Sequence, residues 1–250
     1  MEGAAIQRRL TWLVAEVVGL IEETPNVRSV VLTCPGWTGH LPGQHIDLRL
    51  TAPDGYQAQR SYSIATPVDG ERVTITVELV EDGEVSPFLV DELRVGDRLE
   101  LRGPIGGYFV WEPGRGDRLQ LVAGGSGIVP LMTMIRARVL ADGDEPVRLI
   151  VSARSLEDVI FRDELADLAT RADGIEVVTT LTRSQPPDWK GPSRRVDREM
   201  LEEFAWAADD DPICYVCGPT GFVEVAASTL VDLGHAPQRI RTERFGPTGG

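Results

Sequence analysis

Gly124-Gly125-Ser126-Gly127-Ile128-Val129-Pro130 follows the apolar run Leu119 to Val122 and leads into a helical pattern from about Val129 to Leu140. A glycine turn between a strand and a helix N-terminus brings backbone N–H groups to a ligand at the end of a sheet. The spacing departs from Gly-x-Gly-x-x-Gly, but small residues at a strand end followed by a helix keep the same backbone logic. Beyond it, strand and helix alternate. Val147 to Ser152 is followed by a helix around Asp158 to Thr170, and Ile175 to Leu181 by a Pro-rich loop. A short helix at Arg198 to Phe204, the strand Ile213 to Val216, a helix at Phe222 to Leu233 and a last strand near Ile240 to Thr242 complete the series. That alternation predicts a parallel sheet with right-handed crossovers.

On the other side of Pro113-Gly114-Arg115-Gly116 the pattern is β-rich. Leu10 to Glu22, Val27 to Cys34, His45 to Thr51, Arg60 to Ala65, Arg72 to Val80 and Arg98 to Arg102 carry β-branched residues and period-two alternation. Turns such as Pro53-Asp54-Gly55 separate them. One helix is predicted from Ser86 to about Leu93, with Ser86 as N-cap and Pro87 in its first position. Six short strands and one helix suggest a small closed barrel.

The 250 residues suit two domains of ordinary size, and 42% hydrophobic with 26% charged residues suits a globular core. A formal charge of −14 argues against a nucleic-acid partner, whose phosphates require Lys and Arg. No apolar run reaches the roughly 20 residues of a membrane span. Met1 to Leu10 lacks the apolar core of a signal peptide, so a cytoplasmic location is expected. The three cysteines, Cys34, Cys214 and Cys217, are too few for a disulfide scaffold or a four-thiolate cluster, and no metal site is expected. Cys214 and Cys217 have redox-motif spacing, but three residues apart on a strand they face opposite sides.

Three segments carry the chemistry. Arg60-Ser61-Tyr62-Ser63 offers a guanidinium for phosphate, a ring that can stack on a flat isoalloxazine, and hydroxyls for its ring nitrogens. Asp82-Gly83-Glu84-Val85-Ser86-Pro87 places a glycine and a hydroxyl at a helix start, suited to a pyrophosphate. Cys217-Gly218-Pro219 ends a strand with a compact, polarisable thiol that fits beside a nicotinamide ring.

In this order the motifs resemble the ferredoxin–NADP reductase superfamily, over roughly Leu10 to Phe245. The resemblance implies an antiparallel Greek-key β-barrel that binds FAD over residues 1–113 and an α/β parallel-sheet domain that binds NAD(P) over 114–250. It implies Arg60 on flavin phosphate, Tyr62 on the ring, Ser63 near the reactive nitrogen, and Gly83 and Ser86 on the pyrophosphate, with Ser61 beside them. Gly124, Gly125, Ser126, Gly127 and Pro130 match the dinucleotide segment, and Cys217, Gly218 and Pro219 the segment flanking hydride transfer. Glu243 and Phe245 match the C-terminal acidic residue and aromatic by the flavin. Where many members have a basic residue before the pyrophosphate glycine, this chain has Glu81-Asp82.

The expected activity is transfer of a hydride from NADPH, or alternatively NADH, to FAD and of single electrons to a separate protein. A ferredoxin, another iron–sulfur protein or an oxygenase component would be that acceptor. The chain has neither the plant-type cysteine pattern nor the C-terminal cysteine cluster of several relatives. The alternatives are an electron-transfer subunit of a larger complex, or a reductase of free flavin or ferric chelates. Arg154 and Arg183 lie just past strand ends, and Arg194 or Arg195 lies across the Pro-rich loop, where together they would meet the 2′-phosphate of NADPH.

Overall fold

The computed structural model describes residues 10–171 and 173–246. Met1 to Arg9, most of the stretch read above for a leader, lies outside them. The first half is a six-stranded antiparallel sheet: β1 (Leu13–Thr24), β2 (Val27–Thr33), β3 (His45–Thr51), β4 (Gln57–Ser63), β5 (Arg72–Glu78) and β6 (Arg98–Ile105). Its order is β4-β3-β6-β1-β2-β5, so β6 returns to lie between β3 and β1, as in a Greek key. The sheet curls until its edges meet. An Ile64–Ile75 bridge and a bond from Ala65 N–H to the Thr74 carbonyl (2.7 Å) close it into a barrel.

Alternation is the reason these strands bury one face. Val73, Ile75 and Val77 of β5 are fully buried against Val30, Leu32, Ile46, Leu48 and Leu101. The expected helix after β5 is present over 86–92 but wider than predicted in its later part: Phe88–Glu92 form a π turn, in which Leu93 N–H donates to the Phe88 carbonyl five residues back. Ser86 is not its cap. The Ser86 Oγ instead accepts from Val80 N–H (3.0 Å) and closes the loop before the turn, leaving Pro87 as the N-cap residue.

The second half is a five-stranded parallel sheet in the order β11-β10-β7-β8-β9. Its strands are β7 (Leu119–Gly124), β8 (Val147–Ala153), β9 (Ile175–Leu181), β10 (Ile213–Pro219) and β11 (Ile240–Phe245), with helices α1 (Ile128–Leu140), α2 (Arg162–Thr170), α3 (Arg198–Phe204) and α4 (Thr220–Asp232). A buried parallel strand carries apolar residues on both faces, and β10 does so. Cys214 packs with α3 and α4, and Cys217 packs on the side of α1, so the two thiols point apart as their spacing predicts. The helix expected from Asp158 begins only at Arg162, because Phe161 takes a left-handed conformation (φ 58°).

Helix α1 is buried from Ile128 to Met134 on every side. It lies between the parallel sheet and the barrel, where one apolar cluster joins Leu131, Met134 and Ile135 to Val27, Ala65, Phe109 and Trp111. Strand order reverses between β7 and β10, the place where sheets of this kind hold ligands. The glycine turn after β7 and Cys217-Gly218 of β10 flank that point.

Candidate active site

A cleft of about 560 Å³ opens where the barrel meets α1. Arg60, Ser61, Tyr62 and Ser63 form one wall, and Gly83 to Ser86 form the floor at one end. Ser126, Val129 and Phe245 line it from the second half, so the fold brings four distant segments to one cavity. Tyr62 is half-buried with its ring against the barrel core, and burial pushes its phenol well up. It stays protonated and presents an apolar ring to the cleft.

Ser61 departs from expectation. Its hydroxyl donates to Asp47 (2.6 Å), which Arg102 also grips (2.9 Å), so Ser61 borders the cleft with its side chain already used. Arg60 is engaged too. It pairs with Glu84 at 2.7 Å, and the other oxygen of Glu84 accepts from the Tyr56 hydroxyl. Hydrogen bonds from Tyr56 and Arg60 hold the Glu84 carboxyl below its usual range. Sequence reasoning missed Glu84 because its partners lie 24 and 28 residues away.

Close approach explains the glycines. A Cβ on Gly127 would lie 2.1 Å from the Cys217 carbonyl oxygen, and one on Gly124 would lie 2.8 Å from the Phe222 ring. Gly125 has a left-handed φ of 54° and open space around it. Gly83 lets the loop close: a Cβ there would meet the Ser86 Oγ and the Val80 carbonyl oxygen, each at 2.9 Å.

Cys217, Glu243 and His45 meet beside this turn. Cys217 is opposite Glu243 in the β10–β11 register and is 1% exposed. Burial, and then the charge of Glu243, push the thiol well up, so it is neutral. Burial raises Glu243 to about 7, and its Oε2 is buried without a hydrogen-bond partner. His45 Nδ1 stands 3.9 Å from Glu243 Oε1, but burial lowers the histidine. Glu243 loses its proton only where His45 is already neutral, so this contact is not a strong ion pair. His45 was not foreseen either; it reaches the site because β3 runs beside β4 and β6.

Arg154 and Arg183 adjoin at the ends of β8 and β9, where Arg183 N–H donates to the Arg154 carbonyl (2.9 Å). The Pro-rich loop returns to the same edge: Thr180 Oγ1 bonds the Arg194 backbone and Leu181 N–H the Pro192 carbonyl. Arg194 is tied to Asp197 and Glu199, and Arg198 to Glu202. Among the described residues, Arg154, Arg183 and Arg195 are exposed and make no ion pair.

Residues 16–110 match the oxidoreductase FAD-binding domain family and residues 121–228 the oxidoreductase NAD-binding domain family. Ferredoxin–NADP reductase B of Sorangium cellulosum is 34% identical over 209 residues, covering 81% of this chain and 84% of that protein. The chain belongs to the ferredoxin–NADP reductase-like family.

The two matched families are the FAD-binding and NAD-binding domains of oxidoreductases, one in each half of the chain. The glycine betaine monooxygenase reductase subunit of Pseudomonas aeruginosa is 32% identical over 235 residues, covering 92% of this chain. The chain spans 63% of that relative's length. The FAD/NAD-binding domain of the nitric oxide dioxygenase from Vibrio cholerae O1 biovar El Tor superposes with a TM-score of 0.82 at 25% identity, over 94% of this chain and 99% of that one. Among the described residues, no helix is long and apolar enough to cross a membrane.

Proposed function

We propose that this chain takes a hydride from NADPH and passes electrons one at a time to a separate redox protein, an iron–sulfur protein or oxygenase component. The supporting observation is the shared cleft, in which Tyr62 and Ser63 stand opposite Ser126, Val129 and Phe245. Bound FAD supplies an acceptor that takes two electrons as a hydride and releases them singly. The residues present fit that group. Tyr62 offers a ring face, Ser63 a hydroxyl, and Arg60 with Gly83 and Ser86 a cradle for phosphate. Ser61 contributes backbone only.

On the nucleotide side, Gly124, Gly125, Ser126 and Gly127 would present backbone to the pyrophosphate, and Pro130, in the first turn of α1, has no N–H to satisfy. Cys217, Gly218 and Pro219 border the nicotinamide. The neutral Cys217 thiol adds no charge beside a ring that becomes cationic as it gives up hydride, and Glu243, raised to about 7 by burial, gains its charge only as pH rises through neutrality. Phe245, which lines the same cleft as Tyr62, would offer the flavin a second aromatic ring. Residues 1–113 would be the FAD-binding unit and 114–250 the nucleotide-binding unit. A relative named as the reductase subunit of a monooxygenase supports an oxygenase component as acceptor.

NADPH is preferred in this reading because Arg154, Arg183 and Arg195 converge on one sheet edge with their guanidinium groups unpaired among the described residues. Steady-state turnover of the FAD-loaded protein with each nucleotide, ferricyanide serving as acceptor, tests this, alongside Arg183→Ala. NADPH should be favoured at least tenfold in kcat/KM, and Arg183→Ala should erase most of that margin while sparing NADH. Equal or better use of NADH by the wild type overturns the assignment.

A further inference from the structure

We propose that Thr133 and Arg136 are positioning residues for hydride transfer, fixing the flavin-binding strand to the helix that begins at the glycine turn. The inference rests on the function just proposed. Ser126 and Val129, at the start of α1, form the cleft wall facing Tyr62. One turn further along, Thr133 is fully buried and its Oγ1 donates to the Ile64 carbonyl at 2.6 Å. Its own helix offers a second acceptor, the Val129 carbonyl at 3.2 Å. A hydroxyl has one proton, and the shorter bond to Ile64 takes it. Arg136, the next polar residue on this face, donates to the Ala65 carbonyl. Its guanidinium is itself held, bidentate on Glu164 and 4.4 Å above the Phe161 ring.

Ile64 and Ala65 directly follow Ser63 and form the seam of the barrel. Their N–H groups bond within the barrel, Ile64 to the Gln44 carbonyl and Ala65 to the Thr74 carbonyl. Their carbonyls go to α1. All four backbone polar groups of the two residues are therefore committed, two to each half of the molecule. The end of the flavin strand cannot shift along the cleft without carrying α1, and the glycine turn with it. A misplacement of about 1 Å between reacting groups can slow a reaction by about 10²-fold, so this linkage bears on rate. Packing alone does not account for Thr133, since valine fills the same volume without the bond.

The experiment compares Thr133→Val, Thr133→Ser and Arg136→Met, each loaded with FAD. The readouts are flavin content, nucleotide Kd, the charge-transfer absorbance on mixing, and the rate of flavin reduction at saturating nucleotide. Thr133→Val should reduce its flavin about tenfold more slowly, with flavin content and Kd unchanged and a weaker charge-transfer band. Thr133→Ser should recover the wild-type rate. Arg136→Met, at a site that is partly exposed and so less prone to unfold the protein, should give a smaller loss of the same kind. Wild-type rates in either Thr133→Val or Arg136→Met overturn the proposal, as does a serine variant as slow as the valine one. A wild-type protein that neither nucleotide reduces would instead overturn the function itself, and this inference with it.

Discussion

Glu243 is where burial and ionisation compete most openly. Burial raises its pKa from 4.5 to about 7, and one carboxylate oxygen has no partner. The folded protein therefore keeps a proton that the unfolded chain releases near pH 4.5. By linkage, this group's contribution to stability is largest at low pH, declines as pH rises from about 4.5 through 7, and levels off above. Glu243→Gln should remove that decline, worth on the order of 3 kcal/mol, so the variant gains on wild type between pH 5 and 8 in chemical unfolding. Parallel curves across that range would show the carboxyl to be ionised throughout. Residues at this scale were legible only where local sequence carries their role. Tyr62 and Ser63 reach the cleft wall as their own segment predicts, whereas the pairing of Arg60 with Glu84 had no local signal. The bonds of Ser61 and Ser86 had none either, because each spends its hydroxyl on a partner from elsewhere in the fold, Asp47 for one and Val80 N–H for the other.

Among the elements, the turn between β7 and α1 separates two uses of glycine. Gly127 presses against the Cys217 carbonyl at a distance no Cβ tolerates, whereas Gly125 needs only its left-handed backbone. Gly127→Ala should displace the turn from β10 and slow flavin reduction by NADPH at least tenfold, with FAD content retained. Gly125→Ala should cost about 1 kcal/mol of stability and far less in rate. Rapid-mixing reduction of both variants checks the contrast, and equal rates would contradict it. Strands were well read where alternation is strong: β3 falls on His45–Thr51 as expected. β4 runs over Gln57–Ser63, a few residues earlier than the expected Arg60 to Ala65, because Gln57-Ala58-Gln59 has little β-branching and pairs only through β3. The π turn and the late start of α2 had no sequence signal. They follow from Phe88 and Phe161 settling among residues that only the folded chain supplies.

At the scale of the molecule, the charge of −14 sets long-range encounters. Electron transfer to a basic cytochrome should slow as salt rises through the range where the Debye length falls from about 30 to about 10 Å. Transfer to the ferricyanide anion should accelerate over the same range. Steady-state reduction of both acceptors measures this, and rates indifferent to salt would mean that encounter is not electrostatic. The division into a β-rich half and an alternating half could be read from the chain, as could the order of the motifs. How the halves join could not, because α1 gives only an apolar pattern that says nothing of what lies on either side. In the structure that helix is common property: Leu131 and Ile135 belong to a cluster that also holds Val27, Ala65 and Trp111 of the barrel. The two regions so distinct in sequence should therefore not fold independently. Either one made alone would turn a band of aliphatic side chains toward water, a surface that invites self-association, and heating the intact chain should melt both together in a single cooperative step.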